Sequence, residues 1–194
     1  AIGDSGARAL AAGLVSLNLL ETLNISRNAI GDLGVEAFGN CVHLKDLFLM
    51  GNRAITASGL SSLFRFESCS LMRISLWDIP IGDDGAVALA DEVKGNKSMK
   101  ELFFNPELAR VTSVGWSAFS KLLCDTSSVN ATYLSNHYLK QIGRWKDDED
   151  APEEVNQLLA LNKHEDMHVA IHKILKSHSD FDIEPFFEWK LKLL

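Results

Sequence analysis

The sequence is poor in cysteine, proline and tyrosine. Of its 194 residues, 3 are cysteine, 4 are proline and 2 are tyrosine. Three cysteines without a Cys-x-x-Cys pair exclude a disulfide framework and a zinc ribbon, and their odd number favours a reducing, cytoplasmic location. No stretch approaches the roughly 18 consecutive apolar residues of a membrane-spanning helix, so the sequence predicts no membrane span.

Basic residues are also scarce relative to acidic ones. The chain has 19 Lys and Arg against 26 Asp and Glu, which gives a formal net charge of −7. This balance argues against binding nucleic acid through neutralisation of phosphates. Much of the acidic excess lies in the stretch DDEDAPEE, Asp147–Glu154. We interpret this stretch as a solvated loop or helix start rather than a docking site for a basic partner.

A repeated pattern occupies residues 1–140. Each of five segments begins with an apolar residue and has apolar or small residues at its fourth and sixth positions. The segments begin at Leu20, Leu44, Leu71, Met99 and Val129, so the period is roughly 24 to 30 residues. Half a unit, Ile2–Leu14, precedes them. Because repeat arrays need protected ends, we expect the chain to be part of a longer array.

Each unit predicts a short strand followed by a turn and a helix. The fourth and sixth residues of the strand face inward, and the helices are expected to begin near Asp32, Thr56, Asp83 and Ser113, which are residue types that cap helix N-termini. A single unit cannot bury its apolar face alone. Stacked units can, with parallel strands on one side and helices on the other.

These units resemble the leucine-rich repeat, specifically the long strand-plus-helix subtype typified by ribonuclease inhibitor, whose pattern is LxxLxLxxN followed by an aliphatic residue and glycine. The resemblance implies a right-handed α/β solenoid with a concave parallel sheet and convex helices, and a non-enzymatic scaffold that binds proteins. The ninth position is asparagine only at Asn28 and Asn52, so we expect the asparagine ladder of the family to end after the second unit. Asn105–Pro106 predicts that the fourth strand ends there, because proline cannot donate to a sheet.

Positions three, five and seven of each strand would point to the concave face. They include an apolar stripe with charged neighbours, which is a typical composition of interface hot spots. We therefore expect a partner protein to bind at Phe48, Met50, Arg73, Trp77, Asp78, Phe103 and Tyr133. The sequence predicts no cofactor, no metal, no nucleic acid and no membrane partner, and a monomeric chain. The alternative is that a terminal segment folds over the stripe.

Residues 141–194 change character and predict an acidic linker followed by an α-helical C-terminal cap. Helical periodicity occurs over Glu153–Asn162 and over about Glu165–Ser177, and an apolar segment, Glu184–Leu194, ends the chain. A solenoid needs a cap with an apolar inner face and a polar outer face, and this segment suits that role.

The stretch His164–His168 reads HEDMH and matches the HExxH motif, in which two histidines bind zinc and the glutamate is a general base. The third histidine of the extended motif is replaced by Ile174, and the motif stands at the predicted start of a helix. We interpret it as polar surface residues of the cap. Two alternative functions stay open: a zinc-dependent hydrolase that uses His164, Glu165 and His168, and a GTPase regulator of the Ran-activating type, to which no residue can be assigned.

Overall fold

The structure is a computed structural model, and it describes residues 1–17, 19–66, 68–144, 151–163 and 168–180. Five short strands lie in these ranges: β1 Thr22–Asn24, β2 Asp46–Phe48, β3 Arg73–Ser75, β4 Glu101–Phe103 and β5 Gln141–Gly143. The helices are α1 Gly3–Leu14, α2 Asp32–Glu36, α3 Ala57–Phe64, α4 Gly82–Val93, α5 Pro106–Ala109, α6 Ser113–Leu123, α7 Val129–Tyr133, α8 Glu153–Lys163 and α9 Val169–Ser177. Among the described helices, none is long and apolar enough to cross a membrane.

The strands form one open parallel sheet in the order β1-β2-β3-β4-β5. The register aligns equivalent repeat positions, so that Thr22, Asp46, Arg73, Glu101 and Gln141 lie side by side. The middle residue of each strand from β2 to β5 is buried, at Leu47, Ile74, Leu102 and Ile142. Because neighbouring residues of a strand point to opposite faces, the first and third residues of each strand lie on the face away from the core.

The asparagine at the ninth repeat position closes the turn after the strand. Asn52 is fully buried, and its amide nitrogen donates to the carbonyl oxygens of Ile25, at 3.1 Å, and Leu49, at 2.8 Å. Its side-chain oxygen accepts from the Ile30 amide at 3.1 Å. One side chain therefore links two repeats. In the third unit the buried Ile79 has no polar side-chain atom, so the ladder ends after the second unit, as the sequence indicates.

A second ladder joins the helix starts. Asp4 accepts from the Gly31 amide at 2.6 Å, Asp32 accepts from the Thr56 amide at 2.7 Å, and Asp83 accepts from the Thr112 amide at 2.8 Å. Each carboxylate thus pairs with the beginning of the next repeat's helix. Hydrogen bonds from Thr112 hold the pKa of the Asp83 carboxyl below its usual value, so it stays ionised.

The expected helix caps are therefore only partly right. Thr56 caps α3 by accepting from the Ser58 amide at 3.2 Å, as predicted. Thr112, one residue before the expected Ser113, caps α6. Asp32 and Asp83 lie inside the first turns of their own helices and serve the following repeats instead.

The expected fifth strand at Val129 is wrong. Val129–Tyr133 forms α7. Ser128 caps the N-terminus of this helix, because its hydroxyl accepts a hydrogen bond from the Ala131 amide at 3.1 Å. The fifth strand is Gln141–Gly143, which pairs with β4. The sheet consequently extends into the range that the sequence had predicted to be linker. The fourth strand does end before Pro106, and Asn105 caps the short helix α5 that follows.

The helices after the sheet cover its last repeats. Helix α8 packs against α6 and buries Val155, Leu158 and Leu159. Helix α9 packs against α7 and buries Val169, Lys173 and Ile174. The two helical patterns of the C-terminal segment are confirmed for the described residues, while the apolar ending Glu184–Leu194 and the acidic residues 147–150 lie outside them.

Candidate functional site

The sheet face opposite the core carries a row of charged residues. Arg73 lies between Asp46 and Glu101 in the register. Its Nε lies 2.5 Å from Glu101 Oε2, and its Nη1 lies 3.5 Å from Asp46 Oδ2. The hydrogen bond with Glu101 is the main cause of the raised pKa of Arg73, so the guanidinium stays charged. This triplet holds Arg73 in a fixed position beside the apolar residues of β2 and β3.

Three apolar side chains lie next to this triplet. Phe48 ends β2, and Met50 and Trp77 lie two residues beyond the ends of β2 and β3. Backbone pairing continues there, since the Gly51 amide donates to the Trp77 carbonyl at 2.8 Å. All three side chains are half-buried. We call Phe48, Met50, Arg73, Trp77 and Asp78 the concave patch.

Asp78 occupies a turn position that has the same backbone conformation in three repeats. Arg27, Gly51 and Asp78 all have positive φ angles, of 56°, 73° and 60°. Aspartate and asparagine tolerate this left-handed region better than most residues with a side chain. A substitution that tests the Asp78 carboxylate should therefore be Asp78→Asn, which removes the charge and keeps the backbone preference.

Phe103 does not fit the predicted open stripe. It lies on the same sheet face as Phe48, but only 2% of its surface is exposed. The expectation that its side chain is available to a partner is wrong for this conformation. The sequence had placed the fifth strand elsewhere, whereas β5 lies directly beside β4 and pairs Gly143 with Phe103.

Tyr133 is also displaced from its expected position. It is 60% exposed but ends helix α7, so it is not part of the sheet. The residues that mark the true fifth repeat are Asn136 and Leu139. Asn136 accepts from the Leu139 amide at 2.9 Å, as Asn96 accepts from the Met99 amide at 2.8 Å in the preceding repeat. An asparagine three residues before the first repeat position is therefore a signal that could have located β5.

A family model described as a leucine-rich repeat matches residues 16–39 and 40–64. The fold is an α/β leucine-rich-repeat solenoid. The matched ranges contain β1, α2, β2 and α3, and β3 and β4 repeat the same strand register with their own helices. Leucine-rich repeats typically serve as non-enzymatic scaffolds for protein interaction. No curated protein matches the chain.

The HEDMH motif is only partly within the described residues. His164–Met167 lie outside them, and His168 lies just before the start of α9. Ile174, at the place of a third zinc ligand, is buried on that helix. Within the described ranges, no group of three or more His, Cys, Asp or Glu residues could hold a metal ion.

We expect the purified chain to carry no stoichiometric zinc, because an i, i+4 histidine pair is by itself a weak zinc site and the described residues offer no cluster that completes it. Elemental analysis of protein prepared without chelators would measure this directly. Zinc at one equivalent that disappears in His164→Ala or His168→Ala would contradict the expectation and would revive the hydrolase alternative.

Proposed function

We propose that this chain is a non-enzymatic scaffold that binds a partner protein through the concave patch. The observation that supports the proposal is the position of Phe48, Met50 and Trp77 on the sheet face opposite the core, where large apolar side chains contribute less to folding than buried ones. Aromatic residues beside charged groups are the composition of interface hot spots. The solenoid is of the ribonuclease-inhibitor-like subtype in this proposal, since its units combine a strand with a helix.

The charged triplet would give the interface its orientation. Arg73 is held by Asp46 and Glu101, so a partner carboxylate that reaches its guanidinium meets a group whose position is already fixed. Preorganised side chains lose less conformational entropy on binding. The apolar residues would supply affinity, and Arg73 with Asp78 would supply specificity through charge complementarity.

We expect Met50→Ala combined with Trp77→Ala to weaken partner binding at least tenfold, which corresponds to about 1.4 kcal/mol. Truncation of a hot-spot side chain typically costs about 2 kcal/mol or more, so tenfold is a conservative expectation for two of them. The partner would be found by comparing proteins retained from cell extract by the wild type and by this variant, and the dissociation constant would then be measured with the recombinant partner.

The matched control for this experiment is Val114→Ala. Val114 is 61% exposed on α6, on the helical side of the solenoid, so its truncation removes apolar surface without touching the concave patch. A recovered partner that binds the double variant as tightly as the wild type, or that is lost with Val114→Ala instead, would place the interface elsewhere. Phe103→Ala is unsuitable as a binding test because its burial makes a loss of stability the expected effect.

A further inference from the structure

Helix α9 makes few apolar contacts with the rest of the chain. It buries two apolar side chains, Val169 and Ile174. Neither belongs to the continuous hydrophobic core of the described residues, which includes Val155, Leu158 and Leu159 of α8. Elements with few buried apolar contacts open at the lowest cost in free energy. The docking of α9 therefore depends on its polar contacts more than the docking of α8 does.

The third buried residue of α9 is Lys173, whose ammonium lies beside a histidine. Lys173 Nζ donates to the carbonyl oxygens of Leu123 and Asn136 and lies 3.2 Å from His137 Nδ1. An ammonium has three donors and no acceptor, so His137 Nδ1 has to accept and cannot carry a proton. The proton of the neutral ring is then on Nε2, which donates to the Tyr133 carbonyl oxygen at 3.1 Å. Both ring nitrogens are thus committed to the neutral form of His137.

A second proton on His137 is incompatible with this arrangement. It would bind at Nδ1, where it would replace the hydrogen bond from Lys173 and leave two positive charges 3.2 Å apart. Lys173 is fully buried, so little solvent screens the repulsion. Burial and the Lys173 charge lower the pKa of His137 from 6.5, whereas the pKa of Lys173 is about 8. The lysine is therefore still charged when the histidine takes up its proton.

The other charged groups near His137 keep their charge in mildly acidic solution, because histidine is the residue type whose ordinary pKa lies between about pH 5 and 8. Hydrogen bonds from Ser127 hold the pKa of the Asp125 carboxyl below its usual value, so it stays ionised. On α9 and at the end of α6, the described groups are Lys173, Lys176, Cys124 and Asp125. Around the cavity that His137 lines, they are Lys94, Lys97, Lys100, Tyr133, Tyr138 and Lys140.

A second histidine, His178, joins the end of α9 to α7, but its contact tolerates protonation. His178 Nε2 lies 2.8 Å from Thr132 Oγ1, and the Thr132 hydroxyl donates to the Asp125 carbonyl at 2.8 Å. The hydroxyl oxygen therefore accepts from His178, and it can accept from a protonated ring as well as from a neutral one. His168 and His172 are exposed. Of the described histidines near α9, His137 is thus the one whose protonation opposes docking.

We propose that protonation of His137 in mildly acidic solution releases helix α9 from α7 and from the end of α6. Once α9 is released, His137 no longer faces the ammonium and titrates near its ordinary pKa of 6.5. The released state then binds the proton more tightly than the docked state. Docking therefore loses stability as the pH falls below about 6.5 and regains it as the pH rises. This property does not depend on the concave patch.

Cys124 is a natural reporter of the release. Its Sγ lies 3.5 Å from Ser177 Oγ at the end of α9, and 8% of the residue's surface is exposed. The probe is 4,4′-dithiodipyridine, with mass spectrometry to identify the labelled cysteine. Because thiol reactivity itself depends on pH, each labelling rate is divided by the rate of glutathione at the same pH. Cys41 and Cys69 are buried in the repeats and report general unfolding.

We expect the corrected labelling rate of Cys124 to rise up to about tenfold from pH 7.5 to pH 5.5, while the rates of Cys41 and Cys69 stay constant. His137→Gln should label slowly at both pH values, because the glutamine amide can also accept and donate but does not titrate. The matched control is His172→Gln, which removes an exposed histidine from the same helix and should behave as the wild type does.

Three results would overturn the proposal: a constant rate at Cys124 in the wild type, an equal rise at all three cysteines, or a rise that persists in His137→Gln. Loss of the rise in His178→Gln alone would also overturn it. If His137→Gln labels fast already at pH 7.5, nuclear magnetic resonance of the wild type decides. The protonation of the His137 ring should then have the same midpoint as the rise at Cys124, and separate midpoints would contradict the proposal.

Discussion

Gly59→Ala is expected to destabilise the chain by about 3 kcal/mol, although the same substitution in an unconstrained helix stabilises by up to about 1 kcal/mol. Gly59 lies in α3, and an ideal Cβ there would be 2.8 Å from the Cα of Asp32 in the preceding repeat. A backbone atom cannot move aside as a flexible side chain can. Helix α3 would have to shift away from α2.

This shift would also break the aspartate ladder at that step. Asp32 accepts from the Thr56 amide at 2.7 Å and from the Thr56 hydroxyl at 2.6 Å. Hydrogen bonds to charged groups contribute about 1.5 to 3 kcal/mol each. Gly59 and Asp32 therefore act together. Because Gly59 has no side chain, the Asp32 carboxylate of the previous repeat has room beside α3. Gly34 has the same relation to Asp4, whose Cα lies 3.1 Å from the ideal Cβ position.

Urea unfolding followed by tryptophan fluorescence would measure the effect, and Gly13→Ala is the matched control. Gly13 also lies in a helix, α1, but nothing lies within 4 Å of its ideal Cβ position. That variant should be neutral or more stable by up to about 1 kcal/mol. If Gly59→Ala were as stable as Gly13→Ala, the close approach of the two helices would not be required, and the ladder would contribute little.

The first four strands were predictable from sequence because their information is local. Apolar residues at the first, fourth and sixth positions of a repeat predict a strand with one buried face. The register between strands then follows, because equivalent positions of successive repeats lie side by side. The apolar residues that point away from the core are placed by the same alternation. For this reason the sequence alone is sufficient to assign Phe48, Met50 and Trp77 to the concave face.

The fifth repeat was not predictable in the same way. An insertion that contains α7 precedes β5. From Val129 onward, its apolar and small residues occur at the spacing that marks the beginning of a repeat. The choice between a fifth strand after Val129 and one after Leu139 depends on Asn136, which donates to the carbonyls of Val93 and Asn96, 43 and 40 positions earlier in the chain. Such long-range contacts leave only a weak local pattern. The register of Phe103 depends on the same choice, since its partner in the sheet is Gly143 of β5 rather than a residue of the segment from Val129.

The cap shows a further limit of periodicity. The sequence pattern predicts that Ile171 and Leu175 face inward, but both are exposed, whereas Lys173 is fully buried. Lys173 Nζ donates to the Leu123 carbonyl at 2.7 Å and to the Asn136 carbonyl at 3.2 Å, and it lies 3.2 Å from His137 Nδ1. Backbone carbonyls at the end of α6 and beyond α7 thus determine the inner face of α9, and a hydrophobicity pattern carries no information about them.

Lys173 should make the stability of the chain depend on pH in the alkaline range. Burial lowers the pKa of Lys173 from 10.5 to about 8. The folded state therefore loses this proton near pH 8, while the unfolded state keeps it until about pH 10.5. Between these values the unfolded state binds more protons, so stability rises with pH. The full contribution is about 3 kcal/mol, since one pKa unit corresponds to about 1.4 kcal/mol.

Comparison with Lys173→Met isolates this effect, because the two proteins share every other ionisable group. Urea unfolding from pH 7.5 to 10.5 should show the wild type gaining up to about 3 kcal/mol relative to the variant, with no relative change below pH 8. His137 does not interfere, because burial and the Lys173 charge lower its pKa from 6.5 and place its titration at acid pH. A constant difference across the alkaline range would mean that Lys173 keeps its proton in the folded state, and the carbonyls of Leu123 and Asn136 would then compensate fully for the burial of its charge.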